Sequence, residues 1–393
     1  MRFPEFTDEW RSKKLGDLSD VTKLAGFEFT KYVNYSDNGN IIALRGVNIK
    51  KNKLDLTDVK YIDNSDFNKL NRSKLYPGDL LFTYVGTIGN VALIFKKNKY
   101  YLAPNVCRIR SESFINSQFL KFYFNTQLIK KEINRYVTKS SQPALSMENI
   151  RKFNVNNPKI KEQNKIANFI SLIDRKIYLL EKKLVLWDKH LNYWINNLTT
   201  KNDKYNFHWK IFKFKDFLEE YNEKSKINNQ YPLLSSTKDE IVLQENYFNK
   251  RIASKDNKGY KILHLNQLVL SPQNLWLGNI NINDEFEIGI VSPSYKIYNI
   301  NKNIINQSYL KFIIKKPKML YLYETVSEQG ASVVRRNLNT NLFMNLKIKL
   351  PSINEQKIIG DFLLHLYNKN QLIKNKINIL KIFKKGLLQK MFV

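Results

Sequence analysis

The apolar positions of this chain fall into a pattern that occurs twice. From Ile166 they run Ile166, Ile170, Ile173, Ile177, Leu180, Leu184, Trp187, Leu191, Trp194 and Leu198, at alternating steps of four and three. That spacing is a heptad seam, and it predicts a long helix whose narrow apolar stripe faces another helix. Adding 193 to each number gives Ile359, Leu363, Leu366, Asn370, Ile373, Ile377, Leu380, Lys384, Leu387 and Met391. Eight of these ten are apolar, so the seam recurs in register, with polar breaks at Asn370 and Lys384. Each seam follows the same start, Pro158-Lys-Ile160-Lys-Glu162-Gln163 in one copy and Pro351-Ser-Ile353-Asn-Glu355-Gln356 in the other. Proline suits a first helical turn or the residue just before it. Glu162 and Glu355 then lie where the helix dipole favours negative charge. One leucine stripe alone would read as a core-facing helix. Two in register predict that the helices pack on each other, each seam spanning about 50 Å at 1.5 Å per residue.

The segments before the two helices repeat each other loosely. Residues 1–157 read as mixed α/β, with short strand-like runs at 41–45 and 80–84, a Pro77-Gly78-Asp79 turn, and a helix over 114–136. A Ser140-Ser141-Gln142-Pro143 loop follows. Residues 206–350 keep that order. Trp209 and Asp216 echo Trp10 and Asp17, the run from Leu268 to Pro272 stands where 80–83 stood, and 308–323 supplies the helical stretch before Gly330-Ala331-Ser332. The organisation is therefore one unit duplicated in tandem: a globule (1–157), a helix (158–205), a globule (206–350) and a helix (351–393). The expected fold is α+β, with two similar globules separated by long helices that form an antiparallel coiled coil. Such a pairing would relate the globules by an approximate two-fold axis, the symmetry of duplex DNA. Fifty ångströms corresponds to roughly 15 base pairs.

Charge sharpens this picture. The chain carries 65 Lys and Arg against 35 Asp and Glu, a net charge of +30, which favours a polyanionic partner. Cys107 is the only cysteine and the four histidines are scattered, so neither a disulfide nor a metal site is expected. The most apolar run, 80–95, is short and broken by polar residues, and the N-terminus lacks an apolar secretory core. No membrane partner is expected, and the expected compartment is the cytoplasm.

The candidate chemistry is recognition rather than catalysis. There is no Gly-x-Gly-x-x-Gly and no Walker loop. Asn156-Asn157-Pro158 lacks the second proline and the aromatic of an amino-methyltransferase motif, and the Glu-x-Lys pairs at Glu355 and Glu181 fall on helix faces. No catalytic residue, cofactor or metal is expected. Base edges are read by polar side chains and Arg or Lys on a rigid frame. In the first globule the candidates are Arg45, Lys50 and Lys51 after a strand, Thr83, Tyr84, Gly86 and Thr87 in a glycine-bearing turn, and Ser140, Ser141 and Gln142. In the second they are Ser271, Gln273, Asn274 and Trp276 in the matching turn, then Ser332, Arg335 and Arg336.

The doubled Pro-x-Ile-x-Glu-Gln start, the Ser-Ser-Gln and Gly-Ala-Ser loops upstream of it, and the Trp-x4-apolar-x-Asp opening of each half resemble the specificity subunits of Type I restriction-modification systems. The resemblance covers essentially the whole chain. It implies two target-recognition domains reading a bipartite double-stranded DNA site, and helical spacers that bind two methyltransferase subunits. Restriction and translocase subunits complete such a complex, and the specificity subunit itself performs no catalysis. Two other readings remain open from the residues: the recognition subunit of a Type II-like modification system, and a non-catalytic basic coiled-coil scaffold.

Overall fold

The first long helix, Ile160–Leu198, and the second, Ile353–Lys390, form where the seams predict them. The structure is a computed structural model and describes residues 2–96, 99–138, 141–200, 207–247, 256–329 and 336–392. All twenty seam positions are buried or half-buried, Asn370 and Lys384 included. The chain divides into two compact units, residues 1–181 with 376–393 and residues 182–375, so each unit takes part of both long helices. In the first unit Lys384 Nζ lies 2.6 Å from Asp174 and Lys381 Nζ 2.7 Å from Glu181. In the second, Asn370 Nδ2 donates to Asp188 at 2.9 Å and Phe362 packs edge-on against Trp194 at 5.5 Å. Numbers rise along one helix as they fall along the other, so the pairing is antiparallel in both units.

The globular parts share one plan. In the first unit Arg11–Lys14 pairs with Asn154–Asn157. A four-stranded antiparallel sheet then runs in the order Ser19–Lys23, Val106–Ser111, Leu80–Thr83, Val91–Leu93. In the second unit Lys210–Lys213 pairs with Lys347–Leu350. Its four-stranded sheet follows the same order: Leu218–Tyr221, Lys296–Ile300, Leu268–Leu270, Ile280–Ile282. Of the two inner strands of each sheet, Leu80–Thr83 and Leu268–Leu270 are the ones buried along their whole length, in keeping with the apolar runs 80–82 and 268–270.

The helix expected over 114–136 is two helices, Ser117–Tyr123 and Gln127–Tyr136. The apolar spacing runs through the break, but Thr126 turns its hydroxyl back onto the Tyr123 carbonyl at 2.7 Å and becomes the N-cap position of the second helix. The second unit repeats the break between Gln307–Ile313 and Pro317–Thr325, where Pro317 opens the new helix at a position that needs no amide partner.

Pro158 and Pro351 lie two residues ahead of the first helical residue, one step earlier than the sequence suggests. The reason is the glutamine of the repeated start. The buried Gln163 accepts the Asn116 amide at 2.8 Å through Oε1, and its Nε2 donates to the Pro158 carbonyl at 2.8 Å, the Phe114 carbonyl at 3.2 Å and Asn157 Oδ1 at 2.7 Å. Gln356 does the same with the Asn306 amide at 2.9 Å and the carbonyls of Pro351 and Ile304 at 2.9 and 3.1 Å. Asn116 and Asn306 in turn cap the short helices that follow them. One carboxamide thus joins the start of each long helix to its globule. The neighbouring acids differ. Glu162 is buried and gripped by both Arg2 nitrogens at 2.6 and 2.7 Å and by the Trp10 indole at 3.2 Å, whereas Glu355 accepts the Ser352 amide at 2.7 Å.

Aromatic residues fill both cores. Phe392, just past the second long helix, is 2 % exposed and packs against Phe119, Tyr123 and Trp10. In the second unit Phe214, Tyr298 and Tyr323 surround Phe343.

Two stability outcomes follow. Gln163→Leu keeps the volume but strands the Asn116 amide and leaves the Phe114 and Pro158 carbonyls unpaired, and should cost about 2–4 kcal/mol in chemical denaturation. Asn370 is 1 % exposed and its Oδ1 has no hydrogen-bond partner among the described residues. Replacing both partners, Asn370→Leu together with Asp188→Leu, should therefore raise stability by about 1 kcal/mol, and a lowered denaturation midpoint would contradict this account of the seam.

Candidate nucleic-acid interface

Two of the polar segments singled out in the first globule meet in space. Strand Leu80–Thr83 leaves the sheet, turns through 84–90 and returns as Val91–Leu93. Thr83 ties the turn from inside. Its hydroxyl donates to the Thr87 carbonyl at 2.6 Å and accepts the Asn90 amide at 3.0 Å, and its own carbonyl accepts the Gly89 amide at 3.1 Å. Segment 141–145 lies alongside. The Gly86 amide donates to the Pro143 carbonyl at 3.2 Å, the Leu145 amide to the Tyr84 carbonyl at 2.9 Å, and Val85 bridges Ala144. The turn rests on helix Gln127–Tyr136, where a Cβ on Gly89 would meet Ile133 Cδ1 at 3.2 Å. Gly86, Thr87, Ser141 and Gln142 face outward, while Thr83 and Tyr84 are buried. Burial holds the Tyr84 hydroxyl above its ordinary pKa, and Lys23 lies 5.4 Å over its ring. Ser140 lies outside the described residues.

The strand-end cations stand apart from one another. Arg45 is held by Asp58 at 3.3 Å, and Lys50 by Asp55 at 2.8 Å. The Lys50 ammonium, with Thr57, holds the Asp55 carboxyl well below the usual carboxylate range. Lys51 is exposed in a left-handed turn. Its neighbour Asn52 accepts the Val91 amide at 3.0 Å, which moors this hairpin to the strand returning from the 84–90 turn.

The second unit builds the same arrangement from other residues. After Leu268–Leu270 the chain turns through 271–279, with the Ser271 amide donating to the Asn279 carbonyl at 3.0 Å and the Asn274 amide to the Ser271 carbonyl at 3.1 Å. Ser271 is buried, as Thr83 is, and accepts the Asn274 side-chain amide at 3.4 Å. Gly278, at φ +90°, rests against helix Pro317–Thr325, its would-be Cβ 3.2 Å from Leu320 Cδ2. The later segment again joins the turn. The Arg336 amide donates to the exposed Gln273's carbonyl at 3.3 Å, and the Arg336 guanidinium stacks 4.4 Å over Trp276 while pairing with Glu324 at 3.0 Å. Ser332 and Arg335 lie outside the described residues.

Each unit thus presents a polar turn seated on one short helix and a later polar segment joined to that turn. The sequence reading passed over the outer face of that helix in the first unit. Lys130, Lys131, Asn134 and Arg135 are all exposed there, beside the turn. Their signal was the complement of the apolar stripe, cations wherever the stripe was absent. A groove of about 830 Å³ elsewhere in the second unit is less informative. Its Lys315 ammonium, lowered by burial to about 8, is already taken by the Lys238 and Asp239 carbonyls and Asn281.

The αL turn makes a direct prediction. Gly278→Ala should cost about 1–2 kcal/mol from φ alone, read by urea denaturation. An unchanged midpoint would be incompatible with this turn.

Comparison with known proteins fits this geometry. Residues 7–185 match the family model described as the Type I restriction modification DNA specificity domain. Over 179 residues the chain is 28% identical to the Type I restriction enzyme EcoKI specificity subunit of Escherichia coli strain K12, covering 42% of this chain and 38% of that protein. Over a stretch of the same length it is 24% identical to the Methanocaldococcus jannaschii protein named as the type I restriction enzyme MjaX specificity subunit, covering 44% of this chain and 41% of that one. The matches therefore span about two fifths of the curated relatives' length. The fold is similar over 98% of this chain to the crystal structure of a Type I restriction-modification S subunit from M. genitalium, at TM-score 0.63 and 13% identity. It is also similar, at TM-score 0.55 and 12% identity over 97% of each chain, to a structure from work on complex assembly and conformational transition of the type I R-M system. Residues 7–185 are thus similar to the Type I restriction modification DNA specificity domain.

Proposed function

We propose that this chain is the DNA-recognition subunit of a Type I restriction-modification complex, with residues 1–157 and 206–350 as its two target-recognition domains. The observation that carries this reading is the doubled platform. Two units of the same sheet order, in a chain of net charge +30, each set a polar turn on one short helix and join a later polar segment to it. A duplicated reader suits a bipartite double-stranded site, one block per domain. Thr87, Ser141 and Gln142 in one unit, and Gln273, Trp276 and Arg336 in the other, are the described residues we assign to the DNA face. Lys130, Lys131 and Arg135 supply phosphate contacts, which position the duplex without reading it.

The long helices are assigned to partner subunits. Leu172, Leu179, Ile379 and Ile382 are all more than half exposed and lie outside the seam. Apolar side chains left outward on seam-paired helices suit docking of a second protein. Two methyltransferase subunits are assigned here, with restriction and translocase subunits joining the assembly. The chain itself then carries no catalytic step. It selects the sequence at which its partners act. Among the described residues no helix is long and apolar enough to cross a membrane.

The deciding experiment maps modified bases across the genome of cells with and without the gene. The expected result is a split motif, adenine-modified on both strands, that disappears on deletion, with exchange of residues 1–157 altering one block alone. If no motif is lost and the purified protein brings down no methyltransferase, the proposal fails. With purified complex, Lys130→Ala and Lys131→Ala should each lower the slope of log affinity against log salt by about 1. Gln273→Ala should relax discrimination at one base pair by about 1–3 kcal/mol. A coiled-coil scaffold would show neither effect.

A further inference from the structure

The seams of the two long helices are so alike that each helix could pair with a second copy of itself. Beside the Lys381–Glu181 pair already described, four polar side chains separate the possible pairings. In the antiparallel register observed, Asp174 meets Lys384 at 2.6 Å and Asp188 meets Asn370 at 2.9 Å. Lys384 and Asn370 are the two positions at which the repeat departs from its apolar pattern. Their counterparts in the first helix are Leu191 and Ile177.

The 193-residue repeat allows the alternatives to be built in the same register. Two first helices paired antiparallel would place Asp174 against Leu191 and Asp188 against Ile177. Both acids would then face an apolar side chain with neither cation nor amide opposite, which penalises a half-buried carboxylate. Two second helices would place Lys384 against Tyr367 and Asn370 against Lys381, again with no carboxylate. Only the mixed pair satisfies both contacts, because acid and partner are spaced two heptads apart on each helix. The buried Asn370 also leaves its Oδ1 unpaired among the described residues, so the contact is kept at a cost in stability. A polar seam residue retained at such a cost is a known way to set partner and register.

We propose that Asp174–Lys384 and Asp188–Asn370 make the seam selective, so that the first long helix accepts the second and refuses a second copy of itself. The surface is thus fitted to one partner chemistry: a heptad helix running antiparallel that offers a lysine and, two heptads earlier, an amide. The seam then favours joining unlike halves over joining two like halves, a choice the apolar positions alone do not make. This holds whether or not the DNA reading above is correct.

A crosslinking experiment on the full chain tests it. Cys107 is buried, with its thiol pushed up to about 12, so an engineered surface thiol has a silent background. Lys183 is exposed and would lie beside its own copy at the dyad of a paired first helix. With Lys183→Cys alone, a short bismaleimide should give little covalent dimer. Adding Asp174→Leu and Asp188→Leu removes both acids and should raise the dimer about tenfold or more, the change expected for about 1.4 kcal/mol of relaxed discrimination. A dimer yield unchanged by the leucines overturns the proposal. Charge exchange guards against simple misfolding. Asp174→Lys and Lys384→Asp should each lower the melting temperature, and the two together should restore it with dimer yield still low. A double exchange no better than the singles also overturns it.

Discussion

A buried carboxamide at the start of each long helix holds the rest of the structure in place. Gln163 and Gln356 each bond an amide and a carbonyl at the N-cap of a short helix in the globule and the proline carbonyl that opens their own long helix. An amide so placed cannot move without leaving several buried polar groups unpaired, and each such loss costs more than the bond itself contributes. The long helix therefore leaves the globule at one fixed point. The repeat keeps the glutamine in both copies while the acid beside it varies in partner, Arg2 and Trp10 in one and the Ser352 amide in the other.

The helix pairing adds direction to that fixed point. Its apolar positions supply the attraction and would serve either partner. Its polar positions supply the choice, and Asn370 shows that choice and stability pull against each other. Lys384 sits more comfortably, since its ammonium pairs with Asp174 and also lies 5.4 Å from the Phe122 ring.

The candidate interface follows the same division between frame and surface. Thr83 and Ser271 occupy equivalent positions at the ends of equivalent strands, and both direct their polar atoms into the turn. The residues outside are free to differ: threonine, serine and glutamine in one unit, a tryptophan stacked with an arginine in the other. A repeated frame with divergent outer residues would suit the proposed reading of two different half-sites. Placing such residues on loops over a rigid scaffold makes that divergence cheap.

The sequence by itself determined the duplication, the two long helices, their seam and the repeated start, because heptad spacing and a repeated motif are local signals that survive without coordinates. It also marked both turns, through Gly86 and Gly89 before Val91 and through Gly278 before Ile280. Tertiary structure alone decided which candidates share a surface. Segment 141–145 joins the 84–90 turn through backbone hydrogen bonds that carry no side-chain signature, and Arg336 reaches Trp276 across sixty positions of chain. It likewise decided that Thr83, Tyr84 and Ser271 face inward, that Arg45 and Lys50 are claimed by neighbouring aspartates, and that the apolar stretch 114–136 breaks at Thr126. Long-range pairing of polar groups has no period in the sequence, so only the folded chain could show where each one is satisfied.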